Sequence, residues 1–284
     1  MQTTRIRGLT VVGYSVLAYA AFLAASAWSV TFLADVQLPR GIDHGAHLPA
    51  ALAVVVDSAL LLAFALQHSV MARRGFKRRV ARWIPAHAER STYVLATSLV
   101  LLLLFWQWQP MSAPIWDLHG VGAGAVWIVG ALGWLLAIGS TFAVDHLDFF
   151  GLRRAYQHAS GRQHRPAPFQ ERWLYGWVRH PLMLGLLVAF WATPRLTAGH
   201  VLFALAASGY IVVGVRFEEH DLEHELGDVY RDYAARVPAF CPVRRPTEPR
   251  RREADAALMA TAPTSSPTSQ SVRVATPATS DCKG

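Results

Sequence analysis

Two short polar stretches near the end of this chain hold the residues best suited to chemistry. Arg179-His180 stands immediately before Pro181 and an apolar run, and Glu218-Glu219 follows a second apolar run, with a turn near Thr193-Pro194-Arg195 between them. A helical hairpin over 178–193 and 199–215 would return the glutamates to the level of the arginine and histidine. An arginine fork matches a carboxylate. A proline suits the first turn of a helix, whose N-terminus offers unpaired N–H groups and the positive end of a dipole. Beyond the glutamates, Tyr230 and Tyr233 supply aromatic faces that attract a cation.

A ligand carrying a carboxylate, an ammonium, hydroxyls and a sulfonium would use all of these groups, and S-adenosylmethionine is one. The same residues also fit a purely structural reading. Arg179 and Arg216 would then snorkel at a membrane interface and pair with Glu218 and Glu219.

The elements that must position these groups are membrane helices. The 284 residues are 53% apolar and 16% charged, against about 25% charged in a soluble domain. Several windows of about twenty residues hold at most one or two charges, enough to cross a bilayer core of about 30 Å. The expected fold is all-α, a polytopic integral membrane helical bundle of five to six transmembrane segments. Its last two segments form the hairpin. The spans read as 9–33, 48–70, 93–108, 122–144, 178–193 and 199–215, the fifth short enough to tilt or to stop within the bilayer. The first could pass for a signal peptide ending at Ala24-Ala25-Ser26-Ala27, but its apolar run outlasts a signal core of about 7–15 residues. Ten tryptophans, Trp106 and Trp108 among them, fit interfacial belts. The glycines of the fourth span, Gly122, Gly124, Gly130, Gly133 and Gly139, suit close helix packing.

Charge gives an orientation. Loops 72–92 and 145–177 and the region after Arg216 are basic, whereas 34–47, 109–121 and 193–199 hold few basic residues. By the positive-inside rule both termini are cytoplasmic, in an inner membrane. The formal charge of +8 therefore reflects cytoplasmic loops, and without a recognition motif it gives no reason to expect nucleic acid. Cys241 and Cys282 suggest no disulfide framework. Residues 1–243 make the membrane domain, and 244–284, rich in Ala, Pro, Ser and Thr, are expected to be a disordered tail.

Other polar residues have competing readings. Asp57, inside the second span, is either an interior hydrogen-bonding residue or part of a polar site. His220 and His224 share a helix face with Glu219, Glu223 and Glu225 nearby, which raises a membrane metalloenzyme, but a third ligand and a second histidine box are missing and no metal is expected. His44 and His47 read as interface histidines. A transporter or assembly factor would use Asp57 and the glycine-rich helix as pathway elements, and an internal repeat would favour it. None is visible.

A resemblance sharpens this. Arg179-His180-Pro181-x-x-x-Gly185, the apolar hairpin, Glu218-Glu219-x-x-Leu222, Gly227-x-x-Tyr230-x-x-Tyr233 and Val237-Pro238 resemble the C-terminal core of the isoprenylcysteine carboxyl methyltransferase superfamily. Upstream, Ser140-Thr141-Phe142 and Asp145-His146-Leu147-Asp148-Phe149-Phe150-Gly151-Leu152-Arg153 are similar to its NnrU-like branch, and within it to the methanethiol S-methyltransferases. The resemblance implies an integral membrane methyltransferase, its cofactor pocket open to the cytoplasm, that uses S-adenosylmethionine to convert methanethiol to dimethyl sulfide. It implies cofactor contacts at Arg179, His180, Leu184, Gly185, Glu218, Glu219, Tyr230 and Tyr233, and substrate contacts at Asp148, Phe149, Arg153 and Met183. Met183 stands where the superfamily usually has tyrosine, which implies a different substrate.

The expected chemistry is an in-line displacement in which a thiolate attacks a sulfonium methyl. Arg179, Arg153 and the helix N-terminus would favour the thiolate, the reactive form of a thiol. His146, or the neighbouring Asp145 or Asp148, would take the proton. Alignment of the reactants would contribute most. Asp145 and Asp148 are equally suited to capping a helix, and His146 to a backbone hydrogen bond.

Overall fold

Apolar runs bounded by prolines and glycines become helices of membrane length. The computed structural model describes residues 2–36, 39–45, 47–163 and 173–241, and for residues 2–7 the backbone only. All of these lie in one compact unit, Met1–Arg245. The tail read as disordered lies outside the described residues.

Helix α1 is Gln2–Leu33, α2 Ala50–Ala72, α3 Arg74–Val80, α4 Ala86–Gln107 and α5 Gly120–Val144. Two short helices follow, α6 His146–Phe149 and α7 Leu152–Ala159, and then a 3-10 turn at Trp173–Gly176. The chain ends in α8 Pro181–Trp191, α9 Ala198–Leu226 and α10 Asp228–Arg236. Among the described residues five helices, α1, α2, α4, α5 and α9, are long and apolar enough to cross a membrane. The protein is an all-α polytopic membrane protein.

The sixth apolar segment, α8, has 11 residues, roughly 16 Å at 1.5 Å per residue, about half a bilayer core. It does not pack chiefly on its hairpin partner. A glycine seam seats it on α5: a Cβ on Gly185 would lie 2.5 Å from the Ala137 nitrogen, and one on Gly133 would lie 2.7 Å from the Ala189 nitrogen. The arms of the hairpin meet through fewer groups, Trp191 Nε1 donating to Ser208 Oγ at 3.0 Å and Phe190 beside Phe203 at 5.4 Å.

Two other details differ from the sequence reading. The third span begins at Ala86 rather than Tyr93, because the residues after Pro85 are helix formers, and Arg90 is therefore helical. A two-stranded antiparallel ribbon, β1 Pro114–Asp117 with β2 Arg195–Thr197, joins loops in which no strand was expected. Its strands are too short to show a period in the sequence.

The loops sort into two ends as their charges suggest. At one end Asp43 accepts from Thr197 Oγ1 at 2.7 Å, Trp116 Nε1 donates to the Thr193 carbonyl at 3.1 Å, and the ribbon closes the group. Asp57 is fully buried there and accepts the Gln109 backbone N–H at 2.9 Å, so it anchors the chain leaving α4. At this end Phe32, Ile42, Phe105, Trp108 and Phe203 pack into the main aromatic core. At the other end the basic segments gather: Arg74 pairs with Glu225, Arg73 lies over the Phe217 ring at 4.3 Å, and Lys77 pairs with Glu89 at 3.1 Å.

The seam yields a stability prediction. Gly185→Leu puts a side chain into the α5 backbone and should cost about 3 kcal/mol or more. Gly139→Ala, where a Cβ meets nothing within 4 Å, should be neutral or stabilising by up to about 1 kcal/mol. Unfolding of both variants in detergent checks the contrast.

Candidate functional site

Helix α9 continues unbroken past the apolar stretch to Leu226, carrying Glu218 and Glu219 on the same rigid rod as the span. Gly227, at φ +57°, then allows a sharp break that a side chain would resist. Helix α10 turns back, and the segment after it pairs with the chain entering α8. Arg179 N–H donates to the Pro238 carbonyl at 2.9 Å, and His180 N–H donates to the Ala239 carbonyl at 3.2 Å.

Within this fold one oxygen, Glu219 Oε1, receives three donors. Arg179 Nε reaches it at 2.8 Å, Arg179 Nη2 at 2.6 Å and His180 Nε2 at 2.9 Å. Arg179 Nη1 also donates to the carbonyls of Ala234 at 3.0 Å and Val237 at 2.6 Å, stitching down the end of α10. His180 is buried, and its Nδ1 lies 3.7 Å from Glu218 Oε2. Glu218 is the open member of the set, its side chain 53% exposed. The four residues drawn from two stretches of sequence thus form one cluster.

The tyrosines divide. Tyr233 Oη donates to the Tyr175 carbonyl at 2.7 Å, tying α10 to the 3-10 turn. Tyr230 is buried, and among the described residues its hydroxyl has no partner at hydrogen-bond geometry. Burial and the neighbouring Glu219 carboxylate push its pKa up to about 12, so it stays a protonated donor. Leu184 N–H closes the first turn of α8 on the His180 carbonyl, and Gly185 lies in the α5 seam.

A second locus lies above this one. An apolar cavity of about 1080 Å³ runs between α1, α2, α4, α5, α8 and α9. Leu182, Met183 and Leu186 of α8 line it, beginning two residues after His180, which is about 3 Å along a helix axis. His146, Phe149 and Phe150 line it as well. Asp148 and Arg153, also expected at the substrate, do not. Arg153 Nη2 pairs with Asp145 Oδ2 at 2.9 Å, and Arg154 Nε lies 3.5 Å from Asp148 Oδ1.

Asp145 sits at φ +139°, an unusual conformation for a side-chain-bearing residue. It is held there by Arg153 and by capping α6, its Oδ1 accepting from Asp148 N at 3.2 Å. Between the two carboxylates, His146 turns its ring onto the cavity. Burial lowers its pKa from the ordinary value, partly offset by Asp145, which keeps it neutral near pH 7. The Gly151 bend at φ +86° brings the loop close to Ser91, and Arg90 Nε donates to the Phe149 carbonyl at 2.7 Å.

Several contributors escaped the sequence reading. Tyr19, Tyr175, Arg90 and the cavity pair His68 and Tyr93, 2.7 Å apart, carry no motif. The only hint was a polar side chain inside or beside an apolar run.

The family model described as NnrU protein matches residues 58–238. The chain is similar to a Mycobacterium tuberculosis protein named methanethiol S-methyltransferase, 50% identical over 237 residues that make up 83% of this chain and 97% of that one. Methanethiol S-methyltransferase 2 of Bradyrhizobium diazoefficiens is 46% identical over 246 residues, 86% of this chain and 95% of that one. Nurim of Bos taurus is 29% identical over 188 residues, 63% of this chain and 71% of that one. No solved structure matches the chain.

The cluster predicts unequal costs. Arg179→Ala strands a part-buried carboxylate and two carbonyls and should destabilise by about 3 kcal/mol. Glu219→Gln keeps an acceptor and should cost about 1 kcal/mol. Denaturation in detergent, read by tyrosine and tryptophan fluorescence, measures both.

Proposed function

Since the chain belongs to the NnrU family, we propose that it is a membrane methyltransferase that transfers a methyl group from S-adenosylmethionine to a small thiol, methanethiol, yielding dimethyl sulfide. The observation that carries this reading is that relatives bearing that activity in their names align with the chain over nearly their whole length. Two features of the fold support it: a polar cluster with an open carboxylate, and an apolar cavity beginning within the first turn of α8.

The residues present suit this methyl donor. The unpartnered Tyr230 hydroxyl marks a place where a polar group is wanted. Glu218 would take the ammonium or the ribose hydroxyls. The first-turn amides of Leu182 and Met183 would face the carboxylate. Arg179 and His180 act by fixing Glu219 and the closing segment. When bound, the donor supplies a methyl group activated by a positively charged sulfur. The protein's own part is to hold the thiol beside it in a setting that excludes water.

The crowding of Arg73, Arg74, Lys77, Arg78, Arg79 and Arg82 at the end that bears the cluster supports a cytoplasmic opening, where the donor is made. The cavity is far larger than a thiol of two heavy atoms. That favours acceptance of longer alkyl thiols by the same site.

Purified protein in detergent, given labelled S-adenosylmethionine and methanethiol, should release labelled dimethyl sulfide into the headspace. Absence of both product and donor binding would overturn the assignment. Glu218→Gln should weaken donor binding about tenfold, read by equilibrium dialysis, with unfolding nearly unchanged. Ethanethiol and 1-propanethiol should also be methylated; strict rejection of both would mean that the cavity does not receive the acceptor.

A further inference from the structure

A neutral thiol is a poor nucleophile, so a thiol methyltransferase working near pH 7 needs somewhere to put a proton. Among the described residues around His146, the carboxylates are engaged elsewhere, Asp145 with Arg153 and Asp148 with Arg154. His146 itself is held at both ring nitrogens. Nδ1 lies 2.8 Å from Thr141 Oγ1, and Nε2 lies 2.7 Å from Tyr19 Oη. The direction of these bonds follows from a third. Thr141 Oγ1 donates its one hydrogen to the Ile138 carbonyl at 2.7 Å. It can therefore only accept from the ring, which places the imidazole proton on Nδ1. Nε2 is then a lone pair, and Tyr19 donates to it.

Both the tyrosine and the histidine line the apolar cavity that Met183 also lines. Phe142 stacks on the imidazole at 4.1 Å, and Phe150 flanks it at 4.9 Å while packing on Phe22 at 4.0 Å. This aromatic sleeve leaves the phenol oxygen as the polar atom through which a cavity ligand can address the base. Building on the thiol methylation proposed above, we propose that Tyr19 and His146 form a proton relay that deprotonates the acceptor thiol, with Thr141 as the positioning residue that sets the tautomer.

The step balances. The thiol S–H proton passes to Tyr19 Oη as the phenol proton passes to His146 Nε2, leaving a thiolate and an imidazolium. The thiolate sulfur forms a bond to the donor's methyl carbon, the donor's S–C bond breaks, and that electron pair stays on the donor sulfur as a neutral thioether. The imidazolium then releases its proton to water. The charged groups around the ring are Asp145 with its partner Arg153 from α7, Asp148 with Arg154 from α7, and Arg90 of α4 on the Phe149 carbonyl. From α1 and α5 it faces the neutral Tyr19 and Thr141.

The sign of the pH dependence follows. The relay needs neutral His146, whose pKa lies below the ordinary histidine value of about 6.5. The wild-type rate should be level above that value and fall as pH drops through it. Tyr19→Phe keeps the ring packing and removes only the hydroxyl. Its kcat at pH 7 should fall by about 10²-fold or more and then climb as pH rises toward the thiol's own ionisation, so that the gap to wild type narrows at least tenfold by about pH 9.5. A defect of the same size at every pH, or none, would overturn the relay, because a packing role does not depend on thiol ionisation. Thr141→Val should resemble Tyr19→Phe, and Thr141→Ser should restore the rate. Nitrogen-15 NMR of labelled histidine in micelles, without methyl donor, gives an independent readout: His146 should carry its proton on Nδ1 in wild type, and the opposite tautomer would overturn the proposal. Dimethyl sulfide from the wild type separates the two claims, since its absence would count against the activity itself.

Discussion

A single carboxylate oxygen organises the functional end of this protein. Glu219 stands on a helix that has just left the apolar zone, where an unpaired anion is costly and a paired one directs folding. By receiving Arg179 twice and His180 once, it draws the entrance of α8 against the exit of α9. The same guanidinium carries on to the carbonyls at the end of α10. The last helix, the closing segment and the start of the short helix therefore hang on one charged knot. A lysine, with a point charge and no fork, could not bridge these acceptors in the same geometry.

The shortness of α8 has a matching role. An 11-residue helix needs another source of fixity, and the glycines of α5 provide it by letting two backbones touch. In a membrane such close packing replaces the hydrophobic effect, which no longer separates helix from surroundings. The result is a helix rigid enough to keep its N-terminus at the polar cluster while its next turn looks into an apolar chamber. The polar cluster and the apolar chamber then lie a few ångströms apart along α8.

The junction after α5 places an imidazole on the chamber between two paired carboxylates. Asp145 takes an unfavourable backbone conformation and is held there by Arg153. Asp148 is balanced by Arg154. Between these two neutralised carboxylates the imidazole is pressed among phenyl rings and kept uncharged by burial.

Much of this was legible in the residues. Twenty-residue apolar runs decide membrane helices because lipid leaves the backbone no other partner, and the loop charges decided which loops share an end. The juxtaposition of Arg179 and His180 with Glu218 and Glu219 followed from one hairpin and opposite charge. What the sequence could not supply was anything that depends on which helix faces which. It showed α8 and α9 as partners, whereas the seam joins α8 to α5, because a glycine reveals that something comes close and not what comes close. It could not show that Arg153 pairs with Asp145 and Arg154 with Asp148. It passed over Tyr19, a phenol in an apolar helix 127 residues from the histidine it meets. Such a contact has no local periodicity, charge pattern or spacing behind it, and only the packing of α1 against the α5–α6 junction brings it about.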